Sequence, residues 1–217
     1  DLSSGSFMMP VHFGARYVGP NTSGWYRDVT ALTLSYHTDK QRLSRYLPEP
    51  FKVADEAIIT VTYAHNKQVD WLAGRGYNMI TVTADVVYQG DTETLQGTYT
   101  LVIWENSTDP ILNGRELQGI PKVYADIPDH QISGGQWSVN ASHYGNTIIN
   151  LSVSDLKAPS LEEIALLKAA KEGKDNPMGW RYLQSLGDEP ISEYTIFPSE
   201  NHLKQLQVGK GELSWNT

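Results

Sequence analysis

The strongest constraint on the fold is a series of runs rich in Thr, Val, Ile and Tyr, residue types that favour β-strands. These runs are EAIITVTYAH (56–65), GYNMITVTADVVYQG (76–90) and TLQGTYTLVIWEN (94–106). Glycine-containing or polar turns at 74–76 and 89–92 separate them, and the earlier run DVTALTLSYH (28–37) alternates apolar and polar residues. The pattern predicts half-buried antiparallel strands that follow one another along the chain.

Helices are few by comparison. TDKQRLSRYLP has Thr38 or Asp39 as its N-cap, and a second helix starts at the capping box Ser160-Leu-Glu-Glu163 and ends by Gly173. Further strands are expected near residues 122–127, 135–144, 147–154, 193–197 and 203–215, with a loop at 173–179. We therefore predict a mainly β (α+β) fold, an antiparallel sheet that is closed or nearly closed, with helices at its periphery.

The length and charge of the chain narrow the alternatives. A chain of 217 residues suits a single domain, residues 1–217, and the strand-like pattern that runs to Thr217 leads us to expect further chain beyond it. A net charge of −8 without any basic run excludes a nucleic-acid partner, and no apolar stretch is long enough for a membrane span. With no cysteine, the chain has no thiolate chemistry, and we expect a cytoplasmic protein.

The segment GRELQGIPKVYADI contains the most informative lysine. Gly114 and Gly119 permit unusual backbone angles, Pro121 restricts the preceding backbone, and Lys122 follows at once. A lysine attacks a carbonyl group only as the neutral amine, and burial among apolar groups lowers a lysine pKa by up to about 3–5 units from about 10.4. A lysine at the start of a strand is nevertheless most often a solvated side chain, so these residues alone leave both interpretations open.

A resemblance favours catalysis. Gly114-Arg115-Glu116 followed by Pro121-Lys122 resembles the signature around the nucleophilic lysine of the acetoacetate decarboxylase superfamily. The segments Pro48-Glu49-Pro50, WLAGRGYN (71–78) and WEN (104–106) are similar to other family segments in order and spacing. The resemblance implies a conical antiparallel β-barrel with external helices, a buried Schiff-base lysine at Lys122 that needs no other cofactor, and a homo-oligomer.

Two departures bear on the reaction. The position after the lysine is Val123, where true decarboxylases have a second lysine, and the stretch RGYN (75–78) lacks the glutamate that decarboxylases place there. These changes resemble the branch that condenses pyruvate with an aldehyde and then removes water. We therefore expect a lyase acting on a small oxo acid: a pyruvate aldolase-dehydratase, or a hydratase of an unsaturated 2-oxo acid. The alternatives are a decarboxylase of acetoacetate or a related 3-oxo acid, and a barrel that binds a small acid without converting it.

Several side chains are candidates for the site. Lys122 is the expected nucleophile, and Gln118 and Glu116 are candidates for orienting substrate or moving a proton. Arg115 either binds the substrate carboxylate or pairs with Glu116 to brace the loop.

More distant candidates come from the strands. Arg27 is offset by about two residues from the arginine of the family, so its role as a carboxylate ligand is carried over loosely. Tyr77 and Tyr88 either contact substrate as phenolic acids or fill the barrel, and His65 either lines a cavity or is structural. The six histidines lack the spacing of a metal site, and we expect none.

Overall fold

The computed structural model describes residues 24–171 and 176–216, most of them in strands. The strands are β1 (Tyr26–His37), β2 (Phe51–Val53), β3 (Ile58–Val69), β4 (Tyr77–Gln89), β5 (Thr94–Glu105), β6 (Lys122–Tyr124), β7 (Gln131–Ser133), β8 (Gln136–His143), β9 (Asn146–Lys157), β10 (Pro177–Leu183), β11 (Ile191–Ile196) and β12 (Val208–Trp215). The α-helices are α1 (Lys40–Ser44), α2 (Thr108–Asn113) and α3 (Leu161–Lys171), and α2 continues into a π-helical turn at Gly114–Gln118. Among the described residues, no helix is long and apolar enough to cross a membrane.

The strands form two sheets. In the first, β1, β3, β4 and β5 are antiparallel neighbours, while β6 and β10 each run parallel to β5. β2 pairs with β4, and β11 pairs with β10 at the far edge. The second sheet is antiparallel, in the order β12-β9-β8-β7. The short parallel pairing of β6 with β5 is what places Lys122 beside the end of β5.

The alternation along β4 explains how the two sheets meet. Ile80, Val82, Ala84 and Val86 are buried in a hydrophobic cluster that also contains residues of the second sheet, among them Ile149. The intervening residues of β4 point to the opposite face, because side chains alternate along a strand. Only one face of β4 therefore serves the core, and the other is available for a site.

The predicted mainly β fold with few peripheral helices is confirmed, and each of the four long N-terminal strands begins and ends within four residues of its predicted limits. Both helix starts are confirmed as well: the Asp39 side chain accepts a hydrogen bond from the Arg42 amide, and Ser160 and Glu163 form the reciprocal capping box. Each cap satisfies backbone donors that a helix end would otherwise leave unpaired.

Some local predictions were wrong. The described strands make two sheets that do not close into one barrel, and β5 has parallel as well as antiparallel neighbours. The stretch expected to be a loop at 173–179 contains the start of β10 at Pro177, and the segment before the lysine is helical at Thr108–Asn113. Pro and Gly residues weaken the local sequence signal for a strand or a helix. In these two segments, pairing with β5 and tertiary packing form the element despite the weak signal.

Candidate active site

Lys122 lies in the interior of the protein. It is the first residue of β6, in register with Ile103 on β5, and is only 7% exposed. Its Nζ donates hydrogen bonds to Oε1 of Glu105 at 2.7 Å and to the carbonyl oxygen of Pro110 at 3.1 Å. The amine is therefore held at a fixed position away from bulk water.

Glu105 is the partner that defines the electrostatics of this position. It ends β5, is completely buried, and lies in register with Met79 on β4. Its Oε1 accepts the bond from Lys122, whereas its Oε2 has no hydrogen-bond partner. Burial raises the pKa of Glu105, and the nearby Lys122 only partly opposes this effect.

The raised pKa of Glu105 bears on which group holds the proton. Taking an ammonium and a carboxylate out of water is costly, and the cost disappears when the proton moves from nitrogen to oxygen and leaves two neutral groups. Because burial favours the protonated carboxyl group, Glu105 is a proton acceptor within hydrogen-bond distance of the Lys122 amine. The geometry thus places an amine 2.7 Å from a carboxyl oxygen with which it can exchange a proton.

Gly114 explains part of the local sequence pattern. A methyl group at this position would lie 2.9 Å from Nζ of Lys122 and even closer to its Cε, so only glycine leaves room for the lysine side chain. Gly119 ends the π-helical turn with a φ of +70°, and a methyl group added there would lie 2.3 Å from the backbone nitrogen of Arg181 on β10. Both glycines of the motif are therefore required by close contacts.

β10 and β11 anchor the loop through its backbone. Nε of Arg181 donates to the carbonyl oxygen of Glu116, and the Thr195 hydroxyl donates to the carbonyl oxygen of Gln118, each at 2.5 Å. These contacts fix the main chain of the π-helical turn, a rare element that occurs often at functional sites.

The three candidate site residues that precede Lys122, Arg115, Glu116 and Gln118, differ in their surroundings. Arg115 is exposed, and its Nη1 donates to the carbonyl oxygen of Lys122 at 3.1 Å. In the part of the chain that the structure describes, no ion pair joins Arg115 to Glu116, so Arg115 braces the lysine segment through a backbone contact. The side chains of Glu116 and Gln118 are half-buried, and their roles at the site remain predictions.

Tyr77 lies on the same side of the sheet as Glu105. It is buried, and its hydroxyl oxygen is 3.2 Å from that of Tyr26. Burial raises the pKa of Tyr77, and the neighbouring Tyr26 and Glu105 add to the effect, so the phenol stays protonated.

Arg27 is exposed and forms a bidentate ion pair with Asp70 at 2.7 Å. The guanidinium group predicted to bind a substrate carboxylate is therefore engaged with a carboxylate of the protein.

Tyr88 is not brought to the lysine. The register places Thr81 at the level of Lys122, and Tyr88 follows seven residues later, roughly 23 Å along the strand. It packs instead against Phe51 and Tyr194. The interpretation of Tyr88 as a filling aromatic fits this position, and contact with a small molecule on Lys122 does not.

His65 also lies away from the lysine. Its register partner is Asn78, on the core side of β4, and its Nε2 is 3.6 Å from Asp129. Within residues 24–171 and 176–216, no group of three His, Asp or Glu side chains is arranged to hold a metal ion.

Sequence reasoning missed Glu105 as a site residue. It stands in the WEN segment, which was used only as evidence of family resemblance. The available signal was a carboxylate at the end of a strand of otherwise apolar and β-branched residues, where a charge needs a partner. That partner, Lys122, is seventeen residues away in sequence, so only the fold reveals the pair.

Comparison with known proteins gives the family. Residues 8–217 match the family model described as acetoacetate decarboxylase (ADC). The chain belongs to the acetoacetate decarboxylase family. An acetoacetate decarboxylase from Burkholderia multivorans is 31% identical over 153 residues, which cover 68% of this chain and 53% of that protein. The chain thus spans about half the length of the curated relatives it matches.

Solved structures agree with the fold assignment. Acetoacetate decarboxylase from Legionella pneumophila superposes with a TM-score of 0.71 at 17% identity, covering 86% of this chain and 70% of that one. The enduracididine biosynthesis enzyme MppR, complexed with the condensation product of pyruvate and imidazole 4-carboxaldehyde, superposes with a TM-score of 0.63 at 13% identity, covering 87% and 75%. At these identities the similarity establishes the family fold.

Proposed function

We propose that Lys122 forms a Schiff base with a small 2-oxo acid, pyruvate being the first candidate, in a lyase that condenses it with an aldehyde and removes water. The observation that carries this proposal is the buried contact between Nζ of Lys122 and the carboxyl group of Glu105. A Schiff-base nucleophile reacts as the amine without its extra proton, and Glu105 is placed to accept that proton.

The chemistry follows from the pair. The neutral amine attacks the keto carbon, and Glu105 supplies and removes protons as water leaves and the iminium forms. The iminium withdraws electrons from the adjacent methyl group, which loses a proton to give an enamine. The enamine carbon then attacks the aldehyde carbon, loss of water gives an unsaturated 2-oxo acid, and hydrolysis releases Lys122. Hydration of an unsaturated 2-oxo acid is the reverse of the dehydration step alone, carried out on the same iminium.

Two observations support the aldolase-dehydratase over a decarboxylase. The residue after the nucleophile is Val123, whose side chain is substantially exposed, so this position provides no second cation beside the amine. MppR, which shares the fold, was captured with a condensation product of pyruvate and an aldehyde. Decarboxylation of a 3-oxo acid is the second candidate, and the names of the Burkholderia relatives favour it.

Two assays separate these reactions. Pyruvate incubated in deuterium oxide exchanges its methyl protons, observed by NMR, if the enzyme forms an enamine, and acetoacetate releases carbon dioxide if the enzyme is a decarboxylase. We expect methyl exchange that is lost in Lys122→Ala. Carbon dioxide release without exchange would establish the second candidate, and neither activity would favour a barrel that only binds a small acid.

We also propose that the protein works in the cytoplasm as a homo-oligomer. The family resemblance supports assembly, and so do large apolar side chains left exposed, including Trp25 at 52% and Ile132 at 57%. Light scattering coupled to size exclusion should give a mass that is a multiple of 24.2 kDa. A monomer at micromolar concentration would contradict this part of the proposal.

A further inference from the structure

The π-helical turn before Lys122 ends in carbonyl groups that are bound by side chains from other strands. The last carbonyl groups of a helix have no donor within the helix, so they need partners elsewhere. For Glu116 the partner is Nε of Arg181 on β10, and for Gln118 it is the hydroxyl group of Thr195 on β11, each at 2.5 Å. The end of the turn is therefore capped by the two neighbouring strands β10 and β11.

An ion pair orients the arginine. Arg181 and Glu193 are register partners on β10 and β11, and Nη1 of Arg181 donates to Oε2 of Glu193 at 2.9 Å. One guanidinium group thus reaches a carboxylate on β11 and the carbonyl oxygen of Glu116 at the same time. The single nitrogen of a lysine does not reproduce this forked geometry.

The turn and β10 also meet at van der Waals distance. A methyl group added to Gly179 would lie 3.0 Å from the carbonyl oxygen of Gly119 and 3.3 Å from that of Gln118. The turn therefore has little room to move toward β10, and the two side-chain hydrogen bonds oppose movement away from it.

The capped end of the turn is connected directly to the residue that contacts the lysine. The backbone amides of Gly119 and Ile120 both donate to the carbonyl oxygen of Gly114. Gly114 in turn lies against Cε and Nζ of Lys122. A shift of the capped end would therefore move the surface against which the amine rests.

We propose that Arg181 and Thr195 are positioning residues, which hold the π-helical turn in place and, through it, the amine of Lys122 beside Glu105. Both act through the main chain of the turn. Their effect on the reaction rests on the proposed Schiff base, whereas their effect on the position of the amine does not.

Four variants separate this role from general damage to β10 and β11. Thr195→Val removes the hydroxyl donor at constant size, and Thr195→Ser keeps it. Arg181→Met removes the guanidinium donors and keeps most of the side-chain length. Ser192→Ala is the matched control, because this β11 hydroxyl group accepts a hydrogen bond from Trp180 on β10 rather than contacting the turn.

The first measurement is the rate constant of adduct formation, from time courses of borohydride trapping over a range of pyruvate concentrations. Misplacing a reacting group by about 1 Å costs up to about 100-fold, so we expect Thr195→Val and Arg181→Met to lower the maximal rate constant roughly 10–100-fold. The pyruvate concentration that gives half of the maximal rate should stay the same. Thr195→Ser and Ser192→Ala should react like the wild type.

The second measurement needs no substrate. Lys122 is 7% exposed, so a bulky amine reagent such as trinitrobenzenesulfonate should label it slowly in the wild type, as followed by peptide mapping. We expect labelling of Lys122 to be roughly tenfold faster in Thr195→Val and Arg181→Met, because local opening exposes the amine. It should stay slow in Ser192→Ala and in Ile149→Ala, a core change in the second sheet that controls for lost stability.

The outcomes distinguish the two proposals. Wild-type rate constants and wild-type labelling in both Thr195→Val and Arg181→Met would overturn the positioning role, and so would a Thr195→Ser variant that behaves like Thr195→Val. No adduct in the wild type, with labelling faster in Thr195→Val and Arg181→Met alone, would disprove the Schiff base and leave the positioning role standing.

Discussion

Glu105 and Lys122 form the contact on which the proposed chemistry depends, and each residue can be tested separately. In Glu105→Gln, the amide keeps the size of the carboxyl group but cannot accept the lysine proton or return it. General acid–base groups contribute roughly 10²–10⁴-fold, so we expect the rate of adduct formation with pyruvate to fall by at least about 100-fold. The rate is measured by quenching with borohydride at timed intervals. An unchanged rate would remove Glu105 from the proposed mechanism.

The buried position of Glu105 also predicts a pH dependence of stability. In Lys122→Met the carboxyl group loses the neighbour that lowers its pKa, and burial alone raises that pKa above the ordinary value of 4.5. A raised glutamate pKa contributes stability that is fully present below 4.5 and is lost as the pH rises through the raised pKa. Relative to Lys122→Met/Glu105→Gln, we therefore expect Lys122→Met to lose stability as the pH rises.

Urea unfolding of these two variants between about pH 4 and pH 8 measures the effect. The double variant is the matched control, because its amide does not titrate. Parallel stability curves would show that Glu105 titrates normally and is hydrated.

For single residues, the sequence pointed to Lys122 as a candidate site residue but did not point to Glu105. The motif from Gly114 to Lys122 is local, so a resemblance could identify it. The ion pair depends on the pairing of β5 with β6, which brings together residues that no short-range pattern connects. Whether a side chain reaches Lys122 depends on the sheet face and on the position along the strand more than on residue type. Tyr88 is on β4, beside the strand that pairs with β6, but lies too far along it to reach the lysine.

Among the structural elements, α2 and the π-helical turn lie against the lysine: Pro110 of α2 accepts a hydrogen bond from Nζ, and Gly114 leaves room for the end of the side chain. Gly114→Ala places a methyl group against Cε and Nζ of Lys122, so the side chain must move away from Glu105. We expect adduct formation to be lost and the free energy of unfolding to fall by about 1–3 kcal/mol, typical of overpacking. The control is Gly24→Ala, where the added methyl group meets no atom within 4 Å.

Normal trapping by Gly114→Ala would contradict the described position of the lysine side chain.

Elements with strong local patterns were predictable, as the limits of β1, β4 and β5 show. The helical segment at Thr108–Asn113 was not, because it is only six residues long and is stabilised by contacts with β5 and β6. β10 was missed because Pro177 and Gly179 mark loops, and only its neighbours β5 and β11 make it a strand.

For the molecule as a whole, we propose that the two sheets belong to one domain, since a single hydrophobic cluster contains residues of both. Ile149 lies in that cluster and is fully buried. We expect Ile149→Ala to lower the free energy of unfolding by about 2–5 kcal/mol and to preserve a single transition. Circular dichroism and tryptophan fluorescence should give the same midpoint. Two separate transitions would instead indicate two independently folding units.

The most direct test is to incubate the protein with pyruvate, reduce it with borohydride, and determine the mass and position of any adduct. We expect one pyruvate-derived group per chain, mapped to the peptide containing Lys122. It should be absent in Lys122→Ala and retained in Lys157→Ala, which removes an exposed lysine paired with Glu163. Wild-type protein without an adduct, or an adduct that persists in Lys122→Ala, would contradict a buried Schiff-base lysine at residue 122.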